Sequence, residues 1–311
     1  MKRIEDFRKF YNHTIHPELM RMERQRIRLL RLFLFSSIIL AGIIVLEIYL
    51  GELALTLALT FPILLYLFYI VYRIQRFRNT FKPNIINLIL DFIDDGMNYD
   101  VNYPLKYDPK RFIGKQRFLA SRIFVTPAES YRGEDYITGK VGNLTFELCE
   151  LFVSATSPVR PGLQEVFKGI FMHAVFPEAA KGRIVVWPRR HRTSNFRAIR
   201  EFAWINGEEV SDEIANEAFR EAFLTYATKD THVIGILSEP MQEAIVNYRE
   251  TTGKEIYMSF IDRDIYAAVT EPKDLLEPYL FRSNLSFELI REFFRDIHLV
   301  LEIAEEFDRT H

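Results

Sequence analysis

Two stretches near the N-terminus carry no charge at all. Leu32 to Leu46 is one and Leu53 to Tyr72 is the other, separated by a short break holding Glu47, Gly51 and Glu52. A bilayer core about 30 Å thick is crossed by roughly 20 apolar residues in a helix. Leu53–Tyr72 meets that length directly, and the first run meets it once Ile48–Leu50 are included. The pattern predicts a transmembrane hairpin with spans 32–50 and 53–72. A buried helical pair in a soluble domain is the competing reading, but such helices usually keep one polar face toward water. A cleaved signal peptide fits poorly, because the charged lead-in is long and a second span follows at once.

Beyond the hairpin the periodicity changes. Residues 1–31 read as a basic helical lead-in, with Ile4, Phe7 and Phe10 at helical spacing and an interruption at His16-Pro17. Residues 73–129 read as a helical connector. Within it Pro83 should open a helix that Gly96 ends, and Asp108-Pro109 should open a second one running to about Ser121.

Residues 130–311 read as an α+β domain. Asp135–Val141 alternates and leads through Gly142-Asn143 into Leu144–Ser154, a hairpin signature. Glu165–Phe176 and Arg183–Pro188 continue as strands, Thr156–Gln164 is a loop, and Phe202–Ile205 and Phe219–Ala227 are further strand candidates, with a helix competing for the latter. Pro240–Arg249 is helical, and Ile256–Ile261 with Ile265–Val269 form a hairpin about Asp262-Arg263. Short strands joined by tight turns imply an antiparallel sheet or a partly closed barrel with flanking helices. The final helix, Leu285–Phe307, carries a seam of Ile290, Phe293, Ile297, Val300, Ala304 and Phe307. That seam suits packing on the sheet, and it also suits a homo-oligomer through a coiled coil.

Charge fixes orientation. Arg21, Arg24, Arg26, Arg28 and Arg31 precede the first span, and Arg73, Arg76, Arg78 and Lys82 follow the second. Basic residues stay on the cytoplasmic side. Both termini are therefore expected in the cytoplasm. Across 311 residues the formal net charge is -2, which argues against bulk nucleic-acid binding, and the single Cys149 excludes an intrachain disulfide framework.

Four stretches beyond residue 130 share their order with a known group: Tyr136–Leu151, Val166-Phe167-Lys168-Gly169-Ile170-Phe171, Phe223–Thr228 followed by Ile236-Leu237-Ser238-Glu239-Pro240, and Tyr257–Val269. The chain resembles an uncharacterised bacterial family with a basic lead-in, two spans and a cytoplasmic domain of unknown function. The resemblance implies a membrane-bound protein of unassigned role and brings no catalytic residues.

No phosphate-cradling glycine loop, nucleophile elbow, H-E-x-x-H or C-x-x-C pattern occurs. No cofactor and no metal are implied. His13 and His16 with Glu18 make an incomplete ligand set, Asp91, Asp94, Asp95 and Asp100 lack the spacing of a calcium loop, and Glu147 and Glu150 fall on opposite faces of a strand. One segment does stand out. Lys181, Arg183, Arg189, Arg190, Arg192, Arg197 and Arg200 lie in a stretch with no acid, interleaved with Trp187 and Phe196. Such a segment suits anionic lipid headgroups or an acidic partner protein, while pairing with the domain's own acids is the bland alternative. The resulting expectation is a membrane-anchored binding or scaffold protein. An enzyme with a dispersed site and an oligomeric channel or transport subunit are the alternatives, the channel disfavoured because neither uncharged run carries a charged intramembrane residue, Glu47 lying at the outer end of the first span.

Overall fold

The computed structural model describes residues 4–51, 53–97, 103–156, 162–176, 182–229 and 231–310. The chain divides into two compact units, one made of residues 2–92 with 276–291 and the other of residues 93–275 with 292–311.

The first unit is helical. Helix α1 (Ile4–Phe10) passes through a π-helical turn (Tyr11–Ile15) into α2 (His16–Leu50). The interruption expected at His16-Pro17 thus takes the form of a widened turn. Pro17 has no N–H to give to the preceding turn, and a π turn just ahead of it absorbs that missing bond. Gly51 adopts φ +69°, a left-handed conformation that ends α2 before α3 (Leu53–Met97) begins. Both helices are long and apolar enough to cross a membrane. Their apolar side chains are not covered by the fold: Phe35 is 64 %, Ile38 69 %, Ile48 81 % and Phe68 72 % exposed, which is the opposite of a soluble core helix.

Pro83 does not start a new helix, as the sequence suggested; it lies inside α3. Continuity there is favoured by burial, since Phe81, Ile85, Ile86, Ile89 and Phe92 on one side of α3 are all nearly inaccessible. The lead-in packs against this end of α3 and against residues 276–291. Phe7 meets Phe92 at 5.3 Å, the Tyr11 hydroxyl donates to the Leu285 carbonyl at 3.0 Å, and Lys82 reaches Glu277 at 3.4 Å. Glu23 and Arg26 form a buried pair at 2.6 Å, and Arg26 also donates to the Leu280 carbonyl.

The second unit is built on one antiparallel sheet of nine strands. The strands are β1 (Lys106–Asp108), β2 (Ser130–Val141), β3 (Leu144–Thr156), β4 (Leu163–Val175), β5 (Arg183–Pro188), β6 (Gly207–Glu209), β7 (Phe223–Thr228), β8 (Ile256–Ile261) and β9 (Asp264–Thr270). Their spatial order is β1-β2-β3-β4-β9-β8-β5-β7-β6. The sheet is open and not a barrel, because β1 and β6 stand at opposite ends and do not pair. Helices cover its faces instead, which removes the need for closure.

The helices are α4 (Lys115–Ala120), α5 (Phe196–Trp204), α6 (Glu217–Ala222), α7 (Val233–Ile236), α8 (Glu239–Thr252) and α9 (Phe287–Thr310). On one face, Phe118, Phe124, Phe167, Phe171, Trp187, Phe202 and Tyr257 share a core. On the other, Phe307 of α9 packs against Phe176 at 5.1 Å and Phe260 at 5.4 Å. The proposed coiled-coil seam is buried along its whole length, from Ile290 to Phe307. Packing within the chain therefore already covers it.

Two readings of local structure need correction. Asp108-Pro109 opens no helix: β1 ends at Asp108, residues 109–114 are not helical, and the helix in this stretch, α4, begins at Lys115. Phe202–Ile205 is not a strand; it closes α5, whose buried Ala198 and Phe202 are four apart.

Candidate functional site

The basic segment begins outside the described residues, where Lys181 falls, and then enters β5. Strand alternation decides its first aromatic. Val185 and Trp187 point to the same face, so the Trp187 indole is fully buried and donates to the Ile123 carbonyl at 2.9 Å. Arg183, at the start of the strand, reaches Asp262 at 3.5 Å. Pro188 ends β5, and Arg189–His191 make a single 3-10 turn.

The arginines then separate into two groups. Arg189 is committed to structure, donating from Nε to the Arg220 carbonyl at 3.0 Å and from Nη2 to the Phe223 carbonyl at 3.2 Å. Arg190 pairs through Nε with buried Glu255 at 2.5 Å. Arg192 is exposed and has no carboxylate partner among the described residues. Arg197 reaches Glu201 of the next turn at 3.6 Å, a weak solvated pair. Arg200 lies 5.1 Å from the Trp204 ring centre and 6.0 Å from that of Phe196.

The last contact defines the surface. Positions 196, 200 and 204 are four apart, so Phe196, Arg200 and Trp204 stack along one face of α5. That face is open to solvent. Phe196 is 61 % and Trp204 70 % exposed, with Ile205 beside them at 44 %. The helix is held from behind by Ala198 and Phe202, which are buried, and by an edge contact between Phe202 and Trp187 at 6.2 Å. Exposed aromatic rings flanked by Arg192, Arg197 and Arg200 form a cationic, amphipathic patch. Trp187 is the scaffold behind it; the surface aromatics are Phe196 and Trp204. Sequence reading missed Trp204 because its window was taken as a strand.

Next to this patch is a polar cleft of about 560 Å³, lined by Arg190, His191, Asn195, Lys254, Glu255 and Tyr257 among others. Its charges largely cancel: Lys254 pairs with Glu271 and Asp296, while Arg190 and Arg249 flank Glu255. His191 Nδ1 and the Tyr257 hydroxyl lie 2.7 Å apart. Burial pulls the His191 pKa below its ordinary value and pushes Tyr257 up, so both groups are held toward their neutral forms.

The other titratable groups are used internally. Glu147 accepts from Tyr136 at 2.7 Å and meets His173 and Arg117, whereas Glu150, facing the other way, receives the Leu275 amide at 3.4 Å. Among the described residues Glu134, Asp135 and Glu150 are the acids gathered closely enough for a metal, and Asp135 there accepts from the Tyr107 hydroxyl at 2.6 Å. His13, His16 and Glu18 do not converge on a ligand set, and neither do Asp91, Asp94 and Asp95. Asp100 lies outside the described residues.

Residues 165–309 match a family described as protein of unknown function (DUF3137). No curated protein matches the chain. Among solved structures it is similar to the crystal structure of the mycobacterial trehalose monomycolate transport factor A, TtfA, at 7 % identity over 66 % of this chain and 88 % of that one. The TM-score of that likeness is 0.32, too low to carry any argument about fold or role.

Proposed function

We propose that this chain is a membrane-anchored binding protein of the bacterial inner membrane. Two spans hold it there with both termini in the cytoplasm, and its sheet domain rests on the anionic cytoplasmic leaflet through α5. The observation that carries the reading is the exposed face of α5, where Phe196 and Trp204 flank Arg200, with Glu201 beside them paired to Arg197. Aromatic rings favour the headgroup level, and each basic side chain near an anionic surface contributes about 1 kcal/mol. A domain already tethered to the bilayer pays little further entropy to dock, so a patch this small suffices.

Tryptophan fluorescence tests this on the full chain. Trp187 and Trp204 are the chain's 2 tryptophans, and only Trp204 is exposed. In vesicles carrying brominated phosphatidylglycerol, Trp204 emission should be quenched, and the quenching should vanish in Trp204→Phe. It should fall sharply in the Arg192→Glu, Arg197→Glu, Arg200→Glu variant and in brominated phosphatidylcholine. Equal quenching in all four samples would refute lipid docking by α5.

A further inference from the structure

Where the two spans leave the bilayer, α2 and α3 together line a cavity of about 500 Å³. Its walls are Arg24, Gln25, Arg28, Leu29 and Leu32 of α2 and Tyr66, Tyr69, Ile70 and Arg73 of α3. Three arginines enter it and no acid does. Among the described residues none of the three has a carboxylate partner, although Arg21, Arg26 and Arg78 nearby all do. Arg73 is aimed by a 3.0 Å bond from Nη1 to the Tyr69 hydroxyl, and Arg24 Nε donates to the Met20 carbonyl at 3.4 Å. The floor is apolar: Ile70 and Leu29 are 1 % and 6 % exposed.

The height of the cavity is set by the sequence. Leu32 and Tyr72 are the last uncharged residues of their spans on this side, Arg73 follows Tyr72 directly, and Arg28 lies about 6 Å outward of Leu32 at 1.5 Å per residue. Side chains on a helix lean toward its N-terminus. Arg73 therefore leans back toward the bilayer, as its bond to Tyr69 shows, and lines the same cavity as Arg28. Three guanidinium groups without a carboxylate partner, lining one cavity at the end of the apolar runs, match a phosphodiester, whose oxygens accept paired N–H donors. The apolar floor and the rings of Tyr66 and Tyr69 match the start of acyl chains.

We infer that this cavity binds the phosphate of an anionic phospholipid, with Arg24, Arg28 and Arg73 as its ligands and Leu29, Leu32 and Ile70 against the lipid's glycerol and upper chains. The site uses none of the α5 residues; it rests on the two spans proposed above and stands if the α5 surface proves not to touch lipid.

The test is native mass spectrometry of the full chain released from nanodiscs of phosphatidylglycerol and phosphatidylethanolamine. Wild type should retain a phosphatidylglycerol adduct in preference to phosphatidylethanolamine. The Arg24→Gln, Arg28→Gln, Arg73→Gln variant should retain about tenfold less or lower. The Arg21→Gln variant, on the same helix but outside the cavity and already paired with Glu18, should retain it unchanged. Each single glutamine variant should show a partial loss, which guards against misfolding of the triple; helix content by circular dichroism checks the same point. A parallel arm offers inorganic phosphate to delipidated protein. Phosphate bound without lipid retention would assign the site to a soluble phosphate compound. Retention of neither, or equal lipid retention by wild type and triple variant, would overturn the site.

Discussion

Glu147 and His173 face each other across β3 and β4, and Oε1 of the one lies 3.0 Å from Nδ1 of the other. The second ring nitrogen of His173 meets Asp264 at 2.6 Å, so the imidazole is clamped between two carboxylates on three neighbouring strands. Burial by itself would raise the Glu147 carboxyl, but the hydrogen bonds from His173 and Tyr136 and the charge of Arg117 hold it down to about 2.

That depression makes stability depend on pH in one direction. A carboxyl lowered on folding contributes fully above its unfolded pKa, and the contribution is lost as pH falls through the folded value. Glu147 should therefore stabilise fully above about pH 4.5 and lose its effect toward about pH 2. Glu147→Gln should cost on the order of 3 kcal/mol at neutral pH and flatten the acid limb. Thermal unfolding of the full chain in detergent at several pH values measures both.

Lys254 and Asp296 form a second buried pair, at 2.7 Å, joined by the Tyr248 hydroxyl and by Glu271. Burial pulls Lys254 down, and Asp296 and Glu271 more than offset it, leaving the ammonium above its usual value. Lys254→Met should destabilise by about 3–5 kcal/mol, because it strands a fully buried carboxylate. Adding Asp296→Leu should recover much of that loss, and the double-mutant cycle measures the coupling.

Gly169 sits in β4 at φ +149°, where an added Cβ would lie 2.0 Å from the Val269 carbonyl oxygen. The strand passes so close to β9 that only a hydrogen fits. Gly169→Ala should cost about 3 kcal/mol or more, visible as a lowered unfolding temperature or as loss of soluble detergent complex on gel filtration.

Cys149 is fully buried, and its Sγ accepts the Ile113 amide at 3.3 Å. Burial pushes the thiol well above its ordinary value. It should resist iodoacetamide in the native chain and react at once in denaturant, as read by the mass of the intact protein.

The uncharged runs made the hairpin legible, because a length of apolar residues needs no tertiary information. The hairpins at Gly142-Asn143 and Asp262-Arg263 were legible for the same reason: turn chemistry is local. Trp187 was read toward the surface because its sequence neighbours are basic, yet the two-residue period of β5 turns it inward. Phe202–Ile205 was read as a strand because a four-residue apolar window has no period. The arginine cavity was invisible for a different reason. Arg24 and Arg28 are one turn apart in sequence, but Arg73 joins them only when the second span returns.

The outermost strands of the sheet, β1 and β6, are three residues each. Molecules anchored as proposed above would share a plane and collide far more often than in free solution, so any long naked margin would invite neighbours to zip together. The two outer strands cover three positions each of β2 and β7, and beyond β1 the chain stays beside β2, where the Asp135 amide donates to the Pro109 carbonyl and the Tyr131 hydroxyl to that of Ile113. Under that anchoring, crowding could rise without the domains knitting into ribbons.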